Sequence, residues 1–297
     1  MGSPDFAASV LRLLAKHYAI IGVVTQPDRP AGRGQVLTPP PVKTLALDLG
    51  LEVIQPERLR RPESFALLES WAPDLIIVAA YGQILRQNVL DLPGYGCINV
   101  HASLLPRLRG AAPIQAALLH GDQTSGATIM KMDAGVDTGG ILSMREIPIL
   151  PEDNAGTLMG RLAQSGAELL IDTLPSYLNG SLFPTPQEDS LATFAPMLKK
   201  EEGEIDLTQP AQALVNQVRA FNPWPVAEAD IVGERVRIHA AEPVDAHGEP
   251  GQPVRATRSR LAIACGEGAL AILKLQRAGG RVIDAADYVN GRAELKR

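Results

Sequence analysis

Asn99 and His101 lie two residues apart in the stretch CINVHASLLPRLRGAAP, which runs from Cys97 to Pro113. The apolar run before His101 predicts a buried strand, and side chains two residues apart in a strand point to the same face. Both polar side chains would therefore project together from the carboxyl end of a strand, where open α/β sheets bind ligands. A histidine exchanges a proton near neutral pH, and an asparagine amide can donate a hydrogen bond to a developing oxyanion.

A carboxylate in a glycine-flanked loop completes the candidate site. The loop MDAGVDTG, from Met132 to Gly139, holds Asp137 between a glycine turn and a Thr-Gly pair. Asp137 could orient the imidazole of His101 and raise its basicity, so the three polar residues suit acyl transfer without a covalent intermediate. The alternative for His101 is a hydrogen-bonded histidine near the end of a strand, and the spacing alone leaves both interpretations open.

Other catalytic chemistries find less support in the sequence. Cys97 lies in an apolar strand, without a motif that would lower the pKa of its thiol. Ser103 does not lie in a Gly-x-Ser-x-Gly turn, which argues against a serine hydrolase. The five histidines are scattered without the spacing of metal ligands, so no metal is expected.

The elements that would position these residues follow from the hydrophobic pattern. Up to about residue 150, apolar strand-like runs alternate with helical patterns. The near-continuous apolar runs favour parallel strands that are covered on both faces, and the alternation predicts an α/β fold with a doubly wound, mostly parallel sheet. Strands are predicted at 19–25, 51–54, 74–80, 96–100, 126–133 and 141–149, the last two as a hairpin, and helices at 4–17, 42–49 and 157–178.

The second part of the chain has a different pattern. Residues 1–180 are predicted to form the catalytic domain, and 181–205, which lose the regular pattern and run into the charged KKEEGEID, an interdomain linker. After a helix at 211–220, short β-like runs with Gly and Pro turns predict a small antiparallel, OB-like β-barrel within 206–297.

Composition limits the class of protein. The chain has 297 residues, of which 45% are hydrophobic and 21% charged, as is typical of globular proteins, and its length suggests two domains. It has no apolar run of membrane-spanning length and no visible signal peptide. Because Cys97 and Cys265 lie far apart in sequence, a disulfide framework is not expected, and a cytosolic protein is the default. The net charge of −5 excludes a general electrostatic attraction to nucleic acid but not a local basic patch.

One such patch follows the predicted strand at 19–25. In QPDRPAGRGQVLTPPPVK, residues 26–43, the prolines and glycines predict no regular structure, and Arg29, Arg33 and Lys43 are opposed only by Asp28. On an acidic protein this loop suggests a phosphate-bearing partner, with a solvated connector as the alternative. AAYGQIL, residues 79–85, could line a pocket for a flat heterocycle, or it is an ordinary turn between a strand and a helix.

Together these stretches resemble the methionyl-tRNA formyltransferases over essentially the whole chain. The resemblance lies in GSPDFA, TQPDRPAGRG, IVAAYGQIL, GCINVHASLLPRLRGAAPIQ, TIMKMDAGVDTG and RAFNPWP. NVHASLLP and the Asp137 loop are shared with the wider 10-formyltetrahydrofolate-dependent formyltransferases, including the glycinamide ribonucleotide and sugar-amine enzymes. PAGRG, AFNPWP and the predicted β-barrel favour the tRNA branch, and the sugar-amine enzymes are the nearest competitors.

The resemblance implies formyl transfer from 10-formyltetrahydrofolate to the α-amino group of initiator methionyl-tRNA, with Asn99, His101 and Asp137 as the catalytic trio. It implies a folate site formed by Leu85, Ser103, Leu104, Leu105, Pro106 and Asp133, and tRNA contacts by Arg29, Arg33, Lys43 and the C-terminal barrel. A monomer that needs no metal and no membrane is expected. Two alternatives stay open: a formyltransferase for a nucleotide-sugar amine, and a folate- or nucleotide-binding module in which the Asn-His pair is structural.

The first residues carry one more expectation. MGSPDFAASVLRLL predicts the turn and first helix of a βα unit, with no strand before it. The resemblance implies a short apolar strand ending just before Gly-Ser-Pro, in the centre of the sheet. We therefore expect Met1 to be an internal methionine of a longer natural protein, and the 297-residue form to be poorly soluble or weakly active.

Overall fold

The structure is a computed structural model that describes residues 1–32, 34–255 and 261–292. The chain divides into two compact units. The first unit contains Met1–Pro113, Thr124–Pro148 and Met159–Ala195, and the second contains Ile114–Gln123, Ile149–Leu158 and the chain from Pro196 onward. Residues 181–195 thus belong to the first unit, although they lie in the segment 181–205 that is predicted as a linker.

Short strands and longer helices alternate through the first part of the chain. The strands are β1 (Val23–Val24), β2 (Arg29–Ala31), β3 (Val36–Thr38), β4 (Val53–Ile54), β5 (Ile76–Val78), β6 (Cys97–His101), β7 (Arg109–Gly110), β8 (Thr124–Lys131), β9 (Ile141–Pro148) and β10 (Phe194–Ala195). The helices are α1 (Asp5–His17), α2 (Pro41–Asp48), α3 (Pro62–Ser70), α4 (Gln87–Leu90), α5 (Pro113–His120) and α6 (Ala155–Leu178), and 3₁₀ turns cover Asp189–Leu191 and Lys200–Gly203.

The pairing of these strands confirms the α/β fold class. β1 pairs with β4 in parallel, and β5 pairs with β6 in parallel. The predicted hairpin of β8 and β9 continues the second sheet with antiparallel pairing, which gives the order β5-β6-β8-β9. Every predicted strand overlaps an observed one, but several observed strands are shorter than their apolar runs. The run at 19–25, for example, pairs as a strand only at Val23–Val24.

Met1 and Gly2 lie between β1 and β5. The main-chain N–H of Gly2 donates to the carbonyl of Val24 at 3.0 Å, and the N–H of Ala79 donates to the carbonyl of Met1 at 2.9 Å. The α-amino group of Met1 donates to the carbonyl of Ile77 at 2.6 Å, and burial lowers its pKa to about 6. Beside these two residues lies a cavity of about 570 Å³, lined mostly by apolar side chains of α1, α6 and the neighbouring strands.

Helix α6 covers β6, the strand that carries the candidate catalytic pair. Its buried side chains include Leu162 and Leu170, and it ends at Leu178, as the Asn-Gly signal predicts. A Cβ atom at Gly166 would lie 2.9 Å from Cγ1 of Val100, so a glycine is needed where the helix approaches β6. No helix within the described part of the chain has the length and apolar character that a membrane span requires.

The second unit is built on an antiparallel sheet, as predicted. Helix α7 (Ala211–Ala220) has the predicted bounds, and α8 (Ala285–Asn290) follows the last strand. The strands are β11 (Ala227–Ile231), β12 (Glu234–Val244), β13 (Pro253–Arg255), β14 (Leu261–Ala264), β15 (Ala269–Arg277) and β16 (Val282–Asp284). Their order is β11-β12-β15-β14-β13, with β16 paired to β15, and α7 shares the apolar core of this sheet.

The basic segment 26–43 is more regular than predicted. β2 and β3 form an antiparallel hairpin, with Arg29 opposite Thr38, and α2 begins at Pro41. Gly32 follows β2 with a φ of 69°, a left-handed conformation that glycine adopts without the steric penalty of a Cβ atom. The expectation of no regular structure was therefore wrong, because glycine supports the turn and a two-stranded hairpin tolerates proline.

Two glycines of α6 offer a matched test of its contact with β6. Gly166→Ala should lower the free energy of unfolding by about 1–3 kcal/mol, because the new methyl group crowds Val100 and Ala127. Gly160→Ala should raise it by about 0.5–1 kcal/mol, because this exposed position has no atom within 4 Å of a built Cβ. Urea unfolding of both variants checks this. Equal effects of the two substitutions would contradict the packing described.

Candidate active site

Asp137 joins the two polar side chains of β6 in one site. Its Oδ1 accepts a hydrogen bond from Nδ2 of Asn99 at 3.3 Å, and its Oδ2 lies 3.6 Å from Nδ1 of His101. The main-chain N–H of Gly110 donates to the same Oδ2 at 2.8 Å. The structure thus brings together the three residues singled out from the sequence, at the end of β6 and beside the loop before β9.

The carbonyl of Leu108 fixes the ring of His101. Nε2 of His101 lies 3.0 Å from this oxygen, which can only accept a hydrogen bond, so the bond requires a proton on Nε2. Nδ1 then faces Asp137 and is the ring nitrogen that can gain or lose a proton on that side. His101 is 6% exposed and Asn99 8% exposed, so both side chains lie largely out of bulk water.

Thr128 holds the loop that follows His101. Its hydroxyl donates to the carbonyl of Ser103 at 2.6 Å and accepts from the N–H of Leu105 at 3.1 Å. The hydroxyl of Ser103 donates to the carbonyl of Arg107 at 2.7 Å. The side chains of Ser103 and Leu105 are buried, whereas Leu104 and Pro106, also predicted to bind folate, are only half-buried.

The other two predicted folate residues have different surroundings. The side chain of Leu85 is buried in a cluster that also contains Val78 and Tyr81. Asp133 is exposed, and its Oδ1 accepts from the N–H of Gly135 at 3.0 Å and from the hydroxyl of Thr138 at 2.7 Å. Asp133 therefore shapes the turn that leads to Asp137.

The three residues predicted to contact tRNA differ in their surroundings. Arg29 is exposed on β2, and Arg33 lies outside the described residues. Nζ of Lys43 contacts both carboxylate oxygens of Asp28, at 2.9 and 2.7 Å, and hydrogen bonds from Gln55 and Lys43 lower the pKa of that carboxyl group. The charge of Lys43 is thus balanced by Asp28, whereas Arg29 faces solvent.

Two residues that support Asp137 were not found from the sequence. Arg109, 4% exposed, donates from Nε and Nη2 to Oε1 of Gln187 at 3.1 and 2.8 Å. Nε2 of Gln187 donates to the carbonyls of Asp137 at 2.8 Å and Gly139 at 2.7 Å. No local pattern marks these residues, because their contacts join segments tens of residues apart.

The part of the chain that the structure describes offers no reactive thiol at the site and no cluster of metal ligands. Burial raises the pKa of the Cys97 thiol to about 12, so the thiol stays protonated at neutral pH. Among the residues that the structure describes, no three His, Cys, Asp or Glu side chains are grouped so that they could hold a metal ion. What the site offers is an amide donor and an imidazole on either oxygen of one carboxylate, a set suited to proton transfer and oxyanion stabilisation.

Comparison with known proteins identifies the family. The sequence model described as "Formyl transferase" matches residues 2–174, and "Formyl transferase, C-terminal domain" matches residues 197–293. A protein named methionyl-tRNA formyltransferase from Stenotrophomonas maltophilia (strain K279a) is 50% identical over 299 residues, covering 99% of this chain and 97% of its own. The protein of the same name from Myxococcus xanthus (strain DK1622) is 45% identical, covering 98% of this chain and 93% of its own.

Solved structures show the same fold. HypX from Aquifex aeolicus, in complex with tetrahydrofolic acid, superposes with a TM-score of 0.62 at 18% identity, over 93% of this chain and 48% of that one. The two family matches together span most of the chain, and the relatives match it almost from end to end. This chain belongs to the formyl transferase family.

Proposed function

We propose that this protein transfers the formyl group of 10-formyltetrahydrofolate to the α-amino group of methionine on initiator methionyl-tRNA. The observation that carries the proposal is the Asn99, His101 and Asp137 site at the end of β6, in a chain that is 50% identical over nearly its full length to a methionyl-tRNA formyltransferase. A folate donor is further supported by the HypX neighbour, which binds tetrahydrofolic acid. The relatives favour a tRNA acceptor over a nucleotide-sugar amine.

The reaction needs hydrogen-bond donors and a proton carrier rather than a covalent nucleophile. An α-amino group has a pKa near 8, so a useful fraction is free amine at neutral pH. Its nitrogen forms a bond to the formyl carbon, and the carbonyl oxygen becomes an oxyanion. The bond from this carbon to the folate nitrogen then breaks, and the proton lost by the amine ends on that nitrogen, which leaves a formamide and tetrahydrofolate.

Each member of the trio has a role that its contacts support. An asparagine amide carries two N–H donors, so Asn99 can bind the oxyanion with one while the other is directed to Asp137. Protonated His101 adds positive charge beside the oxyanion, and Asp137 holds the proton on Nδ1 or accepts it. One oxyanion donor is typically worth about 3 kcal/mol, roughly a hundredfold in rate.

The folate would lie against the loop after His101. Leu104 and Pro106 keep part of their side-chain surface exposed there, whereas Ser103, Leu105 and Leu85 are buried and would contribute main-chain groups. Asp133 would act by holding the turn that presents Asp137. No metal is required, and we propose a monomer acting in the cytoplasm.

The tRNA would meet the basic hairpin. We assign Arg29 and Arg33 to contacts with phosphates or bases of the acceptor end, because arginine binds phosphate groups strongly. Lys43 would support these contacts by fixing Asp28 and the base of the hairpin, or it would contribute directly after release from Asp28. The C-terminal sheet would bind a flanking part of the tRNA.

Asp137→Asn tests the catalytic site. The substitution keeps the shape and one acceptor oxygen but removes the negative charge facing His101, so turnover should fall by about a hundredfold or more while folate affinity stays nearly unchanged. Formylation of charged initiator tRNA, with a nucleotide-sugar amine as a rival acceptor, gives turnover, and calorimetry gives folate affinity. Asp48→Asn, at an exposed aspartate of α2 outside the site, is the matched control for the loss of one carboxylate. A wild-type rate in Asp137→Asn would refute the assignment.

Arg33→Ala tests the basic segment 26–43. The KM for charged tRNA should rise and its dependence on salt should become shallower, by about 0.7–0.9 in logarithmic slope for each phosphate that the protein no longer neutralises. The folate KM should not change, and Arg29→Ala should act in the same direction. Arg12→Ala, an exposed arginine on α1, is the control. If both arginine variants keep the wild-type KM and salt slope for tRNA, the segment 26–43 is a solvated connector and not a tRNA contact.

Cys97→Ala tests for covalent chemistry. Turnover should stay close to that of the wild type, because the buried thiol is protonated and takes no part in the reaction. In the native protein neither Cys97 nor Cys265 should react with a disulfide reagent at pH 8, and both should react in urea. Loss of turnover in a variant that remains folded, judged by its circular dichroism, would contradict a mechanism without a covalent intermediate.

A further inference from the structure

The side chain of Gln187 connects a buried arginine to the loop that carries Asp137. Its Nε2 donates to the carbonyls of Asp137 and Gly139, at 2.8 and 2.7 Å. Its Oε1 accepts both bonds from Arg109, at 3.1 and 2.8 Å. A side-chain amide has two donor hydrogens and two acceptor positions, so every hydrogen-bonding position of Gln187 is used.

The Asp137 loop needs such support because its main chain is strained. Asp137 has a φ of 54°, in the left-handed region that a residue with a Cβ atom adopts at a cost of about 1–2 kcal/mol. Gln187 binds the carbonyls of Asp137 and Gly139, which lie on either side of Thr138. It therefore fixes the orientation of the peptide groups next to the carboxylate.

Arg109 and Gly110 complete this support. The N–H of Gly110 holds Oδ2 of Asp137, and the guanidinium of Arg109, next in sequence, holds Gln187. Nη2 of Arg109 also donates to Asp189 at 2.8 Å, but that carboxylate is 83% exposed and therefore well solvated. A buried guanidinium needs fixed acceptors, and Gln187 supplies the less exposed one.

We propose that Gln187 is a positioning residue for formyl transfer, which sets the distance of the Asp137 carboxylate from Asn99 and His101. This inference rests on the function proposed above. Gln187 touches none of the reacting atoms and acts only through Asp137, so its effect should appear in kcat and not in the KM for either substrate. A shift of about 1 Å in a catalytic group can cost a hundredfold in rate.

The segment around Gln187 has other anchors, which makes a clean test possible. β10 pairs with β7 in parallel, and the hydroxyl of Thr193 accepts from the N–H of Leu108 at 2.9 Å. Loss of the Gln187 amide should therefore leave residues 189–195 in place. Gln187→Leu removes the four bonds without adding charge, and Ser190→Ala is a matched control on the same segment, since Ser190 bonds only to Glu188 among the contacts described.

The experiment combines kinetics with a readout that is independent of activity. In Gln187→Leu, kcat should fall roughly 10- to 100-fold, with both KM values unchanged. Hydrogen exchange of the amides at 133–140 should become faster, while the amides of β6 keep their protection. In the background of Asp137→Asn, Gln187→Leu should lower kcat little further, because a residue that acts through the carboxylate has no effect once the charge is absent.

The outcomes separate this inference from the function on which it rests. If the wild-type protein does not formylate charged initiator tRNA, the proposed function fails, and the hydrogen exchange at 133–140 still tests the support of the loop. If the wild type is active and Gln187→Leu retains its kcat, the positioning role is refuted. Additive losses in the double variant, or a kcat loss equal to that of Ser190→Ala, would also refute it.

Discussion

The candidate site depends on the hydrogen bonds of one partly buried carboxylate. A carboxylate removed from water is stable only where donors replace its hydration. Asp137 has two such donors, the amide of Asn99 and the N–H of Gly110, and Nδ1 of His101 lies 3.6 Å from its Oδ2. Any change that moves one of them leaves the carboxylate undersolvated. The same contacts that keep the charge buried therefore align the residues with which it would act.

This arrangement requires β6 to be rigid. All five residues of β6 are buried, and the strand lies between β5 and β8 in its sheet. While Asn99 and His101 face the site, Val100 lies on the opposite face and meets α6 at Gly166. Sites carried by packed strands keep their geometry better than sites formed by loops alone. Asp137 lies in a loop rather than in a strand, and this loop is held by bonds from Gly110 and Gln187, which lie outside it.

The features predicted from the sequence are those in which the cause is local. The period of two in a strand places Asn99 and His101 on one face, the apolar runs locate β5, β6 and the β8–β9 hairpin, and the Asn-Gly pair ends α6. Asp137 could be named from its glycine-rich loop and from family resemblance, but its distances to the other two could not. The bond from His101 to Leu108 depends on the path of a loop, which the residue pattern does not determine.

The features that the sequence does not predict depend on polar contacts between residues that are far apart in the chain. Gln187 lies 50 residues from Asp137 and 78 from Arg109, in a segment that the composition predicts to be a linker. A glutamine in such a segment has no preferred partner until the chain has folded. β10 is similarly invisible in sequence, because two residues that pair with β7 produce no periodic pattern.

The charged residues of the segment 26–43 are a further case in which the sequence does not show which side chains will pair. In the sequence, Arg29 and Lys43 count equally as positive charges of a basic segment, in a chain whose net charge is −5. In the folded chain Lys43 is joined to Asp28, whose carboxylate also accepts from Gln55, whereas Arg29 is exposed. An ion pair cancels much of the field of its members at distances beyond a few ångströms. An anionic partner of this segment would therefore meet a less compensated charge at Arg29 than at Lys43, although the sequence alone gives the two cations equal weight.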